Sequence, residues 1–228
     1  MKKTVCLLLV LILSLSVLCM TASAEEMDIL ILSPKATPEA GSFSDVTTEN
    51  WFFESVEKAA ELGLMEGKAD GCFKPYDELT RAELVTILWR MAGEPEITPE
   101  ESFADFYFQG VDPIPEWAEG AFLWACHNGI VTGYENKMLR ADEPVSRQQT
   151  AVLLYRFAQY MGETTEASGE LDGVADAALI ADYALPAVTW AYANGIMEGY
   201  ADSLLPCAFT TRAAAAALLV RFAEKYAG

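Results

Sequence analysis

Apolar residues recur along this 228-residue chain in two alternating kinds of stretch. One kind is amphipathic at helical spacing, as at Phe122, Ala125 and Cys126. It predicts helices from about 51 to 62, 116 to 128 and 182 to 194, each stopped by a glycine suited to a left-handed cap, Gly63, Gly129 or Gly195. The other kind is apolar on more than one face: Leu84, Val85, Ile87, Leu88 and Met91; Val152, Leu153, Leu154, Tyr155 and Phe157; Leu218, Leu219, Val220 and Phe222. Helices that apolar belong in an interior, so three of them are expected to pack together. A loop joins the two members of each pair, with a second glycine at Gly67, Gly133 or Gly199 and a proline at Pro75, Pro144 or Pro206.

The pairs are copies of one unit. "FSDVTTENWFFESVEKAAELGLMEG" returns as "FADFYFQGVDPIPEWAEGAFLWACHNGIVTG" and as "VADAALIADYALPAVTWAYANGIMEG". "LTRAELVTILWRMAG" returns as "VSRQQTAVLLYRFAQYMG" and "TTRAAAAALLVRFAEKYAG", which sets Arg81, Arg147 and Arg212 at intervals of 66 and 65 residues. Each unit opens with an aspartate two residues after an apolar one: Asp45 after Phe43, Asp105 after Phe103, Asp176 after Val174. Each inner helix starts at a hydroxyl-arginine pair, Thr80-Arg81, Ser146-Arg147 or Thr211-Arg212, and in the first copy Thr80 and Glu83 form a capping box. The acidic stretches "GEPEITPEE" and "GETTEASGE" read as linkers or solvated loops.

The N-terminus, "MKKTVCLLLVLILSLSVLCMTASAEE", combines two lysines, an apolar run and small residues at Ala22 and Ala24, the pattern of a secretory signal peptide cleaved after Ala24. A retained anchor is disfavoured because the apolar run is short and a small-x-small site follows it. Lipidation at Cys19 is disfavoured by Leu18, where a small residue would be needed. Residues 25–42 hold an apolar run, Ile29 to Leu32, then turn formers, and read equally as an edge strand or a flexible leader. With no second long apolar run, the mature chain is expected outside the cytoplasmic membrane, with no membrane insertion once the signal is removed.

Loss of Lys2 and Lys3 with the signal takes the formal charge from −19 to −21. Such a surface repels nucleic acid and anionic lipid, so neither is an expected partner. An anionic ligand could bind only where a local cation overrides the global field. Cys72, Cys126 and Cys207 remain in the mature chain, widely spaced and odd in number; three separate thiols fit this better than one disulfide with a leftover. With His127 the single histidine and no CxxC or HxxxH pattern, no metal or other cofactor is expected.

The repeated arginine is the sharpest chemical signal. A helix N-terminus with free amides attracts anions, and a guanidinium there adds bidentate recognition of a carboxylate or phosphate. The alternative is an arginine paired with a nearby acid, Asp45, Asp105 or Asp176. Trp51, Trp117 and Tyr183 stand at the start of each first helix, where a ring could stack on a sugar or join the core; Trp124 and Trp190, further along, read as core. Paired carboxylates could hydrolyse glycosides, but three small near-identical units suit repeated weak binding better than one asymmetric cleft.

The order FxD, Trp, G-(I/L)-x-x-G, F-x-P, TRAE and an apolar run with L-x-R resembles the S-layer homology domain. The first copy matches most fully, in "FSD", Trp51, "GLMEG", "FKP" and "LTRAEL". The resemblance implies a mostly α fold: three tandem helix-loop-helix repeats in a pseudo-threefold bundle around a central three-helix core. The units are then 43–93, 103–162 and 171–228, after a signal at 1–24 and a leader at 25–42. It implies a non-catalytic module that binds anionic secondary cell wall polysaccharide, usually carrying a pyruvate ketal, on a monomer that is itself a pseudo-trimer. Carried over, the ligand-binding residues are Arg81, Arg147 and Arg212; Thr80, Ser146 and Thr211; Asp45, Asp105 and Asp176; Trp51, Trp117 and Tyr183; and Gly67, Gly133 and Gly199. The second copy departs from the pattern with "VSRQQ" and the third with "TTRAA", Val174 and Tyr183, so a working groove is expected first at Arg81. Only a short leader precedes the first unit, which leaves a protein cargo as the second expected partner. The competing reading is a structural or protein-interaction envelope protein whose glycan sites have degenerated.

Overall fold

The computed structural model describes residues 43–97, 113–166 and 170–226. The signal peptide, the leader with its Ile29–Leu32 run, and Phe103 and Asp105 lie outside the described residues. Six α-helices follow in order: α1 (Phe53–Glu61), α2 (Arg81–Met91), α3 (Glu119–His127), α4 (Arg147–Tyr160), α5 (Leu185–Ala193) and α6 (Arg212–Tyr226). Short 3-10 turns at Glu116–Ala118 and Ala177–Leu179 precede α3 and α5. The first helices are thus shorter than their amphipathic pattern predicts, because their opening residues are spent on turns. The inner helices begin at the three arginines as expected, and Gly63, Gly129 and Gly195 end the first helices at φ near +68°.

The packing order is cyclic. α3 lies on α2, α5 lies on α4, and α1 closes the circle on α6. Each first helix therefore lies closest to the inner helix of the preceding unit, while Trp124 and Trp190 also reach the inner helix of their own unit. The apolar faces of the inner helices supply the core: Leu84, Leu88 and Met91 of α2, Leu154 and Phe157 of α4, and Leu219 and Phe222 of α6 are fully buried. Phe157 and Phe222 meet across the centre with ring centroids 5.6 Å apart. Trp124 and Trp190 are buried between first and inner helices, as their spacing predicts.

At one end of the bundle the three units close through their backbones. Leu79 N–H donates to the Thr210 carbonyl at 2.8 Å, Thr210 N–H to Val145 at 2.8 Å, and Val145 N–H back to Leu79 at 3.0 Å. The next amides run the other way round, each to the unit that follows it, with the third returning to the first. Those of Arg81 and Ala82 donate to Glu143 and Ala141, those of Arg147 and Gln148 to Ala208 and Pro206, and those of Arg212 and Ala213 to Asp77 and Pro75. The third amide of each helix goes to its own cap: Thr80 Oγ1 accepts from Glu83, Ser146 Oγ from Gln149, and Thr211 Oγ1 from Ala214. The expectation of free amides at these N-termini does not hold. The neighbouring unit's loop and the cap satisfy them, as a buried helix start requires.

The opening aspartates act on the same loops. Asp45 accepts from the amides of Phe73 and Lys74 at 2.7 and 2.8 Å, and Asp176 from those of Leu204 and Leu205 at 2.9 and 2.8 Å. Lys74 and Leu205 hold left-handed backbone, with φ of 60° and 54°, so the carboxylate pins a strained turn. Gly67 has a packing reason of its own, since a Cβ there would meet Phe43 Cε1 at 2.5 Å.

Asp45→Ala strands two amides, one on the buried Phe73, and is expected to cost about 2 kcal/mol of stability, with Asp45→Asn milder; urea unfolding measures both. Cys72, Cys126 and Cys207 are unpaired thiols. Burial pushes the Cys126 thiol up to about 12, whereas Cys207 is exposed. A maleimide should label Cys207 in the native protein and reach Cys126 only after denaturation, as peptide mapping by mass spectrometry would report.

Candidate functional site

Each inner-helix arginine reaches from its own unit into the loop of the next. Arg212 donates from Nε to the Phe73 carbonyl at 2.8 Å and from Nη2 to the Glu66 carbonyl at 2.7 Å. Its guanidinium lies 4.7 Å from the Phe73 ring centroid and 3.8 Å from Glu83. Arg147 repeats the two backbone bonds, to Leu204 at 2.8 Å and Glu198 at 2.6 Å. These two side chains are struts between units, and among the described residues neither forms an ion pair with Asp45 or Asp176.

Arg81 departs from this pattern. It is only 7% exposed, its Nε has no hydrogen-bond partner, and no carboxylate pairs with it among the described residues. Its guanidinium sits 5.4 Å from the Tyr134 ring centroid. Burial pulls its pKa below the ordinary arginine value, with Tyr134 opposing the shift and Arg156 adding to it. An arginine stays cationic in a protein, so the buried charge lacks a counter-charge among the described residues.

Arg81 lines a cavity of about 570 Å³ to which all three units contribute. The second unit's loop supplies Thr132, Gly133, Tyr134, Glu135, Asn136 and Arg140. Helix α4 supplies Gln149, Val152, Leu153 and Arg156, and the third unit supplies Tyr183. Arg140 stacks over Tyr134 at 4.3 Å from the ring centroid and pairs with Glu143 at 3.3 Å. A concave site of this size, with an apolar floor and convergent donors, suits a small polar ligand.

The reason this groove holds an unpaired cation lies in one exchange. In the first unit Glu83 closes the capping box and also accepts from Lys68 at 2.8 Å, so its charge is spent on Lys68 and Arg212. In the second unit Gln149 takes that place: its Oε1 accepts from the Ser146 amide at 2.9 Å and its Nε2 donates to the Tyr134 hydroxyl at 2.9 Å. The cap survives and the negative charge does not. In the third unit Ala214 stands there.

The remaining sequence-predicted residues divide cleanly. Thr80, Ser146 and Thr211 spend their hydroxyl oxygens on caps, and Asp45 and Asp176 spend their carboxylates on loop amides, away from the cavity lining. Asp105 lies outside the described residues. Gly133 lines the cavity, while Gly67 and Gly199 serve tight loop packing. Trp51, Trp117 and Tyr183 are 68%, 57% and 60% exposed, so none is core, and Tyr183 borders the cavity. Tyr134, Arg140 and Arg156 were not singled out from sequence. The available signal for Arg156 was the L-x-R motif, an arginine recurring in an otherwise apolar helix.

The family model described as S-layer homology domain matches the chain three times, at residues 42–85, 111–151 and 175–216, more than half of its length. An endoglucanase of Bacillus sp. (strain KSM-635) is 29% identical over 201 residues, 88% of this chain and 20% of that protein. A cellulosome-anchoring protein of Acetivibrio thermocellus is 25% identical over 162 residues, 71% of this chain and 35% of that protein. An S-layer protein of Bacillus thuringiensis subsp. finitimus is 33% identical over 108 residues, 46% of this chain and 12% of that protein. The chain thus spans between an eighth and about a third of these relatives' own lengths. No described helix is long and apolar enough to cross a membrane. These matches mark a secreted protein of the cell wall or surface whose repeats form an anchoring module, and the chain belongs to the S-layer homology domain family.

Proposed function

We propose that this chain is a non-catalytic module that attaches to an anionic polysaccharide of the cell wall through the groove at Arg81, with a pyruvate ketal as the acid group recognised. The carrying observation is the buried, uncompensated Arg81 guanidinium in a cavity where Gln149 replaces the acid of the first unit. A carboxylate entering there meets the guanidinium at low dielectric, where a charge-assisted hydrogen bond is strong. Tyr183 offers an exposed ring at the cavity edge for the apolar face of a sugar. Among the described residues Glu135 is the one carboxylate of the lining, and hydrolysis of a glycoside would call for a second facing it. A protein cargo joined to or carried by the module is part of the same reading.

The reading of a protein-interaction envelope protein draws support from one observation, that Arg147 and Arg212 are committed to backbone carbonyls. Attachment would then rest on a single groove rather than on three.

Purified cell walls should retain the wild-type protein and lose it, by about tenfold or more in affinity, with Arg81→Ala or after removal of the ketal. Retention unchanged by both would refute the reading, and release of wall sugars by the purified protein would replace it with an enzymatic one. Gln149→Glu can keep the cap, as Glu83 does, while returning a carboxylate to Arg81. It should weaken wall binding by about tenfold with little change in melting temperature.

A further inference from the structure

Arg156 belongs to a position that repeats in every inner helix, and its surroundings differ from those of its equivalents. Arg90 of α2 faces Glu94 at 3.9 Å, and Arg221 of α6 pairs with Glu198. Arg156 donates from Nη1 to the Ile130 carbonyl at 3.3 Å and to Thr132 Oγ1 at 3.1 Å, both neutral acceptors. The exchange behind this is again local. Thr132 occupies the loop place held by Glu66 in the first unit and Glu198 in the third. Two substitutions, Thr132 in the loop and Gln149 on the helix, thus remove both acids that would face this groove.

The result is a cavity with two guanidiniums, Arg81 and Arg156, that no carboxylate of the described residues pairs. Arg140 pairs with Glu143, and the exposed Glu135 makes no ion pair with either arginine among the described residues. A chain of formal charge −19 has no shortage of acids, yet none fills this place. Two like charges lining one cavity repel each other, and a single carboxylate on Arg81 leaves half of the imbalance standing.

We propose that the groove recognises a ligand bearing two negative charges, one acid group held by Arg81 and a second by Arg156. The ligand is a glycan segment in which a singly acidic sugar neighbours a second acidic substituent, a carboxylate or a phosphate. This inference rests on the Arg81 reading above and extends it from one acid group to two. Arg156 is then the specificity-determining residue, separating doubly from singly acidic segments. The volume of about 570 Å³ falls in the range that holds ligands larger than a single small anion.

The test is calorimetric titration of the full chain with three synthetic glycans: a pyruvylated methyl hexoside, and two disaccharides in which the pyruvylated sugar neighbours a uronate or a phosphorylated sugar. The wild type should bind at least one disaccharide about tenfold or more tighter than the hexoside, and which disaccharide gains identifies the second acid. Arg156→Gln should erase most of that gain, weakening the favoured disaccharide by about tenfold or more and the hexoside by much less, and Arg156→Lys should restore part of it. Melting temperatures of both variants, compared with wild type, separate lost recognition from lost folding through the Ile130 and Thr132 contacts. A wild type that binds all three glycans equally, or an Arg156→Gln variant that weakens all three alike while folded, overturns the inference and leaves the Arg81 reading in place. A wild type that binds none of them, together with wall retention indifferent to Arg81→Ala, overturns both.

Discussion

Every α-helix leaves its first amide N–H groups without intrahelical partners, and this molecule brings three such helix starts together at one buried place. Burial without partners would be prohibitive, so each start borrows acceptors from the unit beside it. The ring formed by Leu79, Thr210 and Val145, and the bonds from the two residues after each cap to the neighbouring loop, are the consequence. The ring runs in one rotational sense and the bonds after the caps in the other. The first helices follow the ring, each lying on the preceding unit's inner helix. No unit completes its own core or satisfies its own helix start, which is why the units fold as a closed set rather than as beads.

The arginines inherit their positions from that closure. Being first in the helix and directed into the next unit's loop, they meet its carbonyls, and two of the three settle there. A guanidinium spent on backbone acceptors is a good strut and a poor receptor, because its donors are already used. The same helix position becomes a site only where the loop and the following helix leave it unsatisfied. In the second unit Gln149 preserves the capping geometry of Glu83 without its charge, and Thr132 removes the loop acid. On the proposed reading, function and stability are separated within one repeated motif by the exchange of two side chains.

Much of the fold was legible because its signals are local. The repeat interval, the hydroxyl cap before each arginine, the glycine stops and the all-round apolar inner helices involve residues a few positions apart, and each has one structural solution. Exposure of Trp51, Trp117 and Tyr183, against burial of Trp124 and Trp190, was half legible, since helix starts and mid-helix positions differ in what covers them. What the sequence concealed were relations between units. The amides after Thr80, Ser146 and Thr211 look free until the neighbouring loop is in place, and Asp45 looks like an arginine partner until its carboxylate is found on Phe73 and Lys74. Arg81, Arg147 and Arg212 are alike in sequence and unlike in environment, because what distinguishes them lies in the next copy, more than fifty residues away.

The separation of strut from receptor bears on how an acidic protein could hold an acidic polymer at all. Across most of its surface the chain repels a polyanion, but at physiological ionic strength that repulsion fades over about 8 Å. Charges inside a groove are screened far less, so the attraction of a buried guanidinium persists where the surface field has decayed. A polymer engaged this way is held at one short acidic segment that enters the cavity, with its flanking sugars turned out into solvent. Spreading the cations over the surface would favour sliding contact along the polymer. On the proposed reading, concentrating them in a cavity bounded by Tyr134 and Tyr183 favours a single fixed register.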